Sequence, residues 1–189
     1  MKLTISKLRR VKSTNDEAIK LIKKNKSKIG ILLAEFQDKG RGTMGKKWVS
    51  LHGNLFFSIY FQLDYSKIKL NQITILNPHI IKNIFKKYSK YKVRIKKPND
   101  ILIKKKKLCG ILQEVIDHKT KKYLIIGIGI NTMINPKNKN FKSTSLTDCS
   151  SKTIKNQLIL KDIKDSYEKF ISDITKYNFS YLKRNICKN

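Results

Sequence analysis

The chain has 189 residues, and its 43 Lys and Arg against 13 Asp and Glu give a formal net charge of +30 at pH 7. The length fits one ordinary domain, and a hydrophobic content of 40% allows a core and argues against wholesale disorder. No run of eighteen apolar residues exists, which argues against a membrane span, and the first residues lack the apolar stretch of a signal peptide. The three cysteines, Cys109, Cys149 and Cys187, are too widely spaced for a disulfide framework or a zinc knuckle. A reducing cytoplasm is the simplest compartment.

The positive charge has two interpretations. A pI near 10.1 is typical of nucleic-acid binding, because lysines release counterions from phosphates. The lysines are nevertheless spread along the whole chain, as a Lys/Ile/Asn-rich composition alone would give. Charge therefore decides no function, although it favours anionic ligands and acidic partners.

In chain order, the first half predicts an extended segment, a helix and two strands. Small polar and acidic residues suit a helix start, because they satisfy free N–H groups and face the positive end of the helix dipole. The predicted elements are an extended segment over 3–12, a helix beginning at 13–17, a buried strand over 29–36, a basic loop over 37–50 and an aromatic strand over 54–61.

The second half alternates helix-period and strand patterns. It predicts a helix over 70–89 that Pro78 bends or ends, strands over 93–96 and 101–103, paired strands over 108–116 and 123–130 around a turn at 117–122, a polar loop over 131–150, and helices over 154–175 and 179–187. Without repeats or a linker, these elements predict one α/β domain with a mixed sheet over 1–189.

A glycine-rich loop is the first candidate site. Gly40, Gly42 and Gly45 fit G-x-G-x-x-G, but the loop leads into a strand rather than a helix, so a dinucleotide fold is a poor fit. The kinase and P-loop patterns also fail. The glycines still let backbone N–H groups approach an anion, and Arg41 can bind a carboxylate or phosphate through two bonds. A solvated basic hairpin remains the alternative.

Two further constellations follow. Pro98 holds Asn99 and Asp100 in a turn, where a carboxylate could bind Mg²⁺ together with nucleotide oxygens, although such turns are common. Lys107 directly precedes an apolar strand, so it can point inward while its neighbours stay in water. The two glycines of the 127–131 segment allow a flat ligand to lie close to a strand, or mark a bulge or packing contact.

With these motifs in this order along the chain, residues 8–150 or so resemble the catalytic domain of biotin protein ligases. The matching stretches are Ser13-Thr14-Asn15, Glu35-Phe36-Gln37, Gly40-Arg41-Gly42, Gly45-Lys46-Lys47-Trp48, Gly53-Asn54-Leu55, Lys96 with Pro98-Asn99-Asp100, Lys107-Leu108-Cys109-Gly110-Ile111-Leu112, Gly127-Ile128-Gly129-Ile130-Asn131 and Thr144-Ser145-Leu146. The resemblance implies an α+β fold of the class II synthetase-like type, with a mixed, largely antiparallel sheet flanked by helices.

The resemblance also implies a reaction. Biotin attacks the α-phosphate of ATP, bound with Mg²⁺, to give biotinyl-AMP, and a lysine of the biotin carboxyl carrier protein of acetyl-CoA carboxylase then displaces AMP. Lys107 and Arg41 are implied as catalytic. The implied biotin-binding residues are Ser13, Thr14, Asn15, Gln37, Arg41, Gly42, Thr43, Trp48, Lys107, Gly110 and Gly129, with the two last glycines clearing space for the rings of biotin. The implied ATP-binding residues are Arg41, Lys46, Asn99, Asp100 and Asn131, with Asp100 also near Mg²⁺.

The chain departs from the family pattern at several points. Thr43 stands where family members commonly carry Arg, and Lys97 replaces a usual Trp. Longer members begin with a DNA-binding helix-turn-helix domain and many end with a small β-barrel. We expect neither domain here, and therefore no repressor role and altered ATP affinity or carrier docking. A homodimer is compatible with the resemblance.

Two rival functions follow from the sequence. A lipoate or octanoate ligase or transferase shares the fold and the acyl chemistry, but the loop from Gly40 to Trp48 and the Pro98 turn favour biotin. A non-enzymatic nucleic-acid binder would explain the charge of +30. Its aromatics should interleave with the basic runs, whereas here they lie in apolar strands.

Overall fold

A seven-stranded sheet organises the chain. The computed structural model describes residues 2–137 and 141–188. Its strands are β1 (Ile5–Val11), β2 (Gly30–Gln37), β3 (Leu55–Leu63), β4 (Val93–Lys96), β5 (Asp100–Ile103), β6 (Lys106–His118) and β7 (Lys121–Ile130). The helices are α1 (Thr14–Lys23), α2 (Leu70–Phe85), α3 (Leu146–Cys149), α4 (Asn156–Lys176) and α5 (Phe179–Ile186). None of the described helices is long and apolar enough to cross a membrane.

The strand order is β1-β2-β3-β7-β6-β5-β4. Only β1 and β2 pair in parallel, and every other neighbouring pair is antiparallel. The prediction of a mixed, largely antiparallel sheet flanked by helices is therefore confirmed.

Strand β7 shows how the two faces of the sheet differ. Its side chains alternate between faces, so Leu124 and Ile126 join the large core that α2, α4 and α5 cover. Tyr123 and Ile125 face the other way and pack with α1 in a second, smaller cluster. Gly127 continues this second face without a side chain. The sheet surface beyond α1 is therefore open enough for a cavity.

Helix α2 continues past Pro78. The sequence predicts a bend or an end there; the helix does not end, since it runs through Pro78 to Phe85, and the bend stays a prediction. Buried apolar residues on both sides of the proline, including Ile73 and Ile81, hold the helix against the core. Packing on one apolar face thus outweighs the backbone hydrogen bond that proline removes.

Two loops are more ordered than predicted. The turn between β6 and β7 is only two residues long, because the strands extend to His118 and Lys121 and pair there. The predicted polar loop over 131–150 contains α3, whose first turn is capped by the Ser145 hydroxyl accepting from the Asp148 N–H. Residues 138–140 of that loop lie outside the described residues.

Candidate functional site

One cavity of about 860 Å³ opens on the glycine-bearing face of the sheet. Every residue that the resemblance implies for the site lines it. These are Ser13, Thr14, Asn15, Gln37, Arg41, Gly42, Thr43, Lys46, Trp48, Asn99, Asp100, Lys107, Gly110, Gly129 and Asn131. The volume suits a ligand of drug or cofactor size. The structure thus brings these residues together, while their roles toward a ligand stay predictions.

One end of the cavity is a buried polar network. Ser13, Thr14 and Asn15 begin α1 and are each at most 3% exposed. The Thr14 N–H and hydroxyl both donate to Gln37 Oε1, at 2.9 and 3.1 Å, and Gln37 Nε2 donates to the Ser50 hydroxyl at 3.2 Å. The Ser13 side chain caps no backbone N–H of α1. This end therefore offers amide and hydroxyl groups of both polarities to a neutral polar ligand.

Trp48 lies over the two glycines that pair across β6 and β7. Gly110 faces Gly129 in register, and a Cβ at Gly129 would come within 2.3 Å of the Trp48 ring. At Gly110 the corresponding distance is 2.7 Å. The resemblance implies that these glycines clear space for biotin. In the structure both glycines border the Trp48 indole, which forms a wall of the cavity, and their role toward biotin stays a prediction.

Arg41 is held by two carboxylates of the chain. Its guanidinium donates to both oxygens of Glu114, at 2.8 and 2.7 Å, and lies 2.8 Å from Asp16 Oδ1. Partial burial lowers the pKa of Arg41, but the hydrogen bonds and charge of Glu114, followed by Asp16, outweigh burial and raise it. The sequence predicts that Arg41 binds a ligand carboxylate or phosphate; in the structure two carboxylates of the chain already pair with it, and its role toward a ligand stays a prediction.

The glycine loop is a small hairpin rather than an open cradle. Arg41 and Lys47 form an isolated bridge, the Gly42 N–H donates to the Lys46 carbonyl, and the Trp48 N–H donates to the Gly40 carbonyl at 2.8 Å. A Cβ at Gly40 would lie 2.6 Å from the Trp48 carbonyl, so glycine is required where the two strands of the loop meet. This hairpin carries Trp48 to the sheet.

The opposite end of the cavity is cationic. Lys107 lies at the start of β6, only partly exposed, with its Nζ 2.8 Å from Asp100 Oδ1 and 5.4 Å from the centre of the Trp48 ring. Asn99 Nδ2 donates to the Ile111 carbonyl at 2.8 Å, which fixes the turn that carries Asp100. The prediction that Lys107 points inward agrees with this geometry, and Lys104, Lys105 and Lys106 are exposed as expected, although Lys105 also lines the cavity.

The predicted metal residue, Asp100, stands alone. Among residues 2–137 and 141–188, no group of three His, Cys, Asp or Glu side chains is arranged to hold a metal ion. Asp100 is paired with Lys107. A divalent cation at this end would therefore take most of its ligands from a bound nucleotide and water, as Mg²⁺ commonly does.

Asn131 has an unused acceptor. It is 2% exposed, its Nδ2 donates to the Thr144 carbonyl at 3.3 Å, and its Oδ1 is buried without a hydrogen-bond partner in the described structure. A buried oxygen without a partner costs free energy, so a ligand that donates a hydrogen bond here would be favoured.

Sequence reasoning missed several lining residues. Lys105 and Lys142 add positive charge, and Phe141 lies with its ring centre 5.9 Å from Lys107 Nζ. Phe141 lies within the predicted polar loop over 131–150 and has no pattern that marks it in the sequence. Glu114, which holds Arg41 from outside the lining, was also missed, because with Gln113 it forms a polar pair in the strand that carries no recognisable motif.

Comparisons with known proteins agree with the geometry. The sequence model of the "Biotin/lipoate A/B protein ligase family" matches residues 8–131. The "Bifunctional ligase/repressor BirA" of Bacillus spizizenii is 30% identical over 181 residues, which span 92% of this chain and 55% of that protein. The chain spans about half the length of this curated relative.

Solved structures match over nearly the whole chain. The biotin protein ligase from Aquifex aeolicus in complex with biotin and ATP has a TM-score of 0.79 at 27% identity, covering 97% of this chain and 76% of that one. A bipartite lipoate protein ligase from Thermoplasma acidophilum matches with a TM-score of 0.58 at 10% identity, covering 91% of this chain and 84% of that one. The second likeness concerns the fold alone.

Proposed function

Because the chain belongs to the biotin/lipoate A/B protein ligase family, we propose that it activates biotin with ATP and transfers the biotinyl group to a protein lysine. The observation that carries the proposal is one cavity with a buried, neutral polar end and a cationic end. Biotin has a neutral ureido ring at one end and a carboxylate at the other. The A. aeolicus ligase, which binds biotin and ATP, supports the assignment.

The polar end fits the ureido ring. This ring presents N–H donors and a carbonyl acceptor, and the network around Thr14 and Gln37 offers partners for both. The Ser13 hydroxyl, which caps no backbone group, is available to the ring carbonyl. The Trp48 indole would cover the apolar part of the bicycle.

The cationic end fits the reacting groups. The biotin carboxylate attacks the α-phosphorus of ATP, the bond from that phosphorus to the bridging oxygen breaks, and pyrophosphate leaves. Lys107 would break its ion pair with Asp100, or contact Asp100 and the phosphate together, to stabilise the negative charge that grows on the α-phosphate oxygens. Mg²⁺ bound with ATP would neutralise the leaving pyrophosphate. Asn131 Oδ1 could accept a hydrogen bond from an amino group of the nucleotide.

The second step completes the transfer. The amine of a carrier lysine attacks the mixed anhydride, an amide forms and AMP leaves with the bonding electrons. No covalent intermediate with the enzyme is needed, so a Ser–His or Cys–His pair is not required. We propose the biotin carboxyl carrier protein of acetyl-CoA carboxylase as acceptor and the cytoplasm as the compartment. A single catalytic domain over 1–189 remains our interpretation of the organisation.

Lipoate is the rival substrate, because the family includes lipoate ligases. ATP–pyrophosphate exchange, measured with biotin and lipoate in separate reactions, distinguishes the two. We expect exchange with biotin at micromolar concentration and none above background with lipoate. Exchange with lipoate alone would refute the assignment.

Thr43 allows a test of how the adenylate is retained. Thr43 contributes a hydroxyl 3.4 Å from Asn99 Nδ2 but no charge. We expect that Thr43→Arg lengthens the half-life of bound biotinyl-AMP, because a cation would then lie beside the phosphate. Equal half-lives in the wild type and in Thr43→Arg would show that another cation, such as Lys46, already serves this purpose.

A further inference from the structure

Glu114 lies next to the biotin end of the cavity without lining it. On β6, alternate side chains share a face, so Glu114 follows Gly110 and Leu112, which both line the cavity. Its side chain is 26% exposed. Gly127, which pairs with Leu112 across the strands, has no side chain, and a Cβ there would lie 2.4 Å from Asn15 Oδ1. The Asn15 amide therefore lies directly on the sheet beside Glu114.

Both carboxylate oxygens of Glu114 are used. Oε1 accepts from Arg41, and Oε2 accepts from Arg41 and, at 2.6 Å, from Asn15 Nδ2. One side chain thus joins the start of α1, the glycine loop and the sheet, which are far apart in sequence. Hydrogen bonds to a charged group are stronger than neutral ones, and a two-bond guanidinium pair also fixes orientation.

Asp16 adds a second carboxylate to the same guanidinium. Asp16 and Glu114 carry two formal negative charges against the one positive charge of Arg41, so this cluster of three side chains is net negative in a chain of net charge +30. Glu114 differs from Asp16 because it also holds Asn15, which lines the cavity. Removing the charge of Glu114 would therefore weaken the hold on two cavity-lining residues at once, while the Ser58 hydroxyl still donates to Asn15 Oδ1 and Asp16 still pairs with Arg41.

We propose that Glu114 is a positioning residue that sets the biotin-binding geometry by holding Arg41 and the Asn15 amide in fixed orientations. The inference rests on the proposed function, because it names biotin as the ligand. It concerns the polar end of the cavity and leaves the cationic end around Lys107 unaffected.

The test is Glu114→Gln, which keeps the shape of the side chain and removes its charge. We expect KM for biotin to rise by roughly tenfold, equivalent to about 1.4 kcal/mol. KM for ATP should rise by less, because Arg41, which the resemblance also places at ATP, remains paired with Asp16. The thermal midpoint should stay close to that of the wild type. The matched control is Asp117→Asn on the same strand, which removes an exposed carboxylate paired with Lys122 and should leave both KM values unchanged.

Three outcomes would overturn the inference. These are an unchanged KM for biotin, equal rises in KM for biotin and ATP, or a drop in thermal midpoint that Asp117→Asn does not show. If Glu114→Gln does not fold, Glu114→Asp keeps the charge but shortens the reach, and the same selective loss for biotin is expected. Failure of the proposed function would look different, because the wild type itself would then bind ATP but not biotin.

Discussion

Replacing Gly129 with alanine places a methyl group closer to the Trp48 ring than van der Waals contact allows. The added Cβ would lie 2.3 Å from Cε2, 2.6 Å from Nε1 and 2.7 Å from Cζ2 of that indole. Carbon atoms in contact normally keep about 3.5 Å apart, so the ring must retreat by roughly 1.2 Å (3.5 minus 2.3). Strand β7 is bonded to β3 and β6 on its two sides, so the loop that carries Trp48 is the part that moves.

The displacement should cost about 1–3 kcal/mol, as is typical of overpacking. If the indole must lie on the sheet to bind biotin, affinity falls by roughly fivefold to a hundredfold or more. Gly110→Ala is the graded comparison, because its Cβ would lie 2.7 Å from Trp48 Cζ3 and requires a retreat of only about 0.8 Å. We therefore expect the loss in Gly129→Ala to exceed the loss in Gly110→Ala.

The assay uses the fact that Trp48 is the only tryptophan of the chain. Its fluorescence should shift to longer wavelength in Gly129→Ala as the indole enters water, and a biotin titration followed by calorimetry gives the affinity. A circular dichroism spectrum at room temperature, together with the thermal midpoint, shows whether the sheet remains folded. A variant with an unchanged emission spectrum and unchanged biotin affinity would refute the packing argument.

Three further predictions concern other parts of the molecule. Lys107→Ala should reduce the rate of ATP–pyrophosphate exchange by about a hundredfold or more without unfolding the protein, whereas Lys106→Ala, at the exposed neighbour, should leave that rate unchanged. Equal rates in Lys107→Ala and the wild type would show that Lys107 does not stabilise the transition state. Transfer to an acidic carrier domain should slow as ionic strength rises while adenylate formation changes less, and parallel salt dependences would contradict electrostatic steering of the carrier. Lys119→Gly should stabilise the protein by about 0.5–1 kcal/mol, because Lys119 has a φ of 55°, a left-handed conformation that glycine adopts more readily. The control Lys121→Gly in β7 should destabilise the protein, and a lower thermal midpoint in Lys119→Gly would show that the turn is not strained.

The order of elements along the chain could be predicted from periodicity. The apolar runs that became β2, β3 and β7 have few polar interruptions, and α4 shows a clear helical spacing. The proline rule alone could not exclude an end of the helix at Pro78, because a local rule about one hydrogen bond does not include the packing of a whole helix face. Periodicity placed the turn between β6 and β7 too broadly, since polar residues continue the pairing there.

The candidate site was predictable where motifs are continuous in sequence. The glycine loop, the Pro98 turn and the segment before Asn131 each carry a local pattern, and all line the same cavity. Contacts between distant residues were not predictable. Neither Glu114 holding Arg41 and Asn15 nor Trp48 lying over Gly129 leaves a mark in a single sequence, because each depends on how the strands are ordered.

Trapping the reaction after its first step tests the central claim most directly, since that step requires both ligands in one cavity. The protein is mixed with biotin and MgATP, without a carrier, and the contents of the active site are identified by mass spectrometry after rapid denaturation. We predict biotinyl-AMP in up to one equivalent per chain, dependent on biotin and strongly reduced in Lys107→Ala. A chain that binds both biotin and ATP but forms no adenylate would contradict the assignment of this cavity as the site of activation.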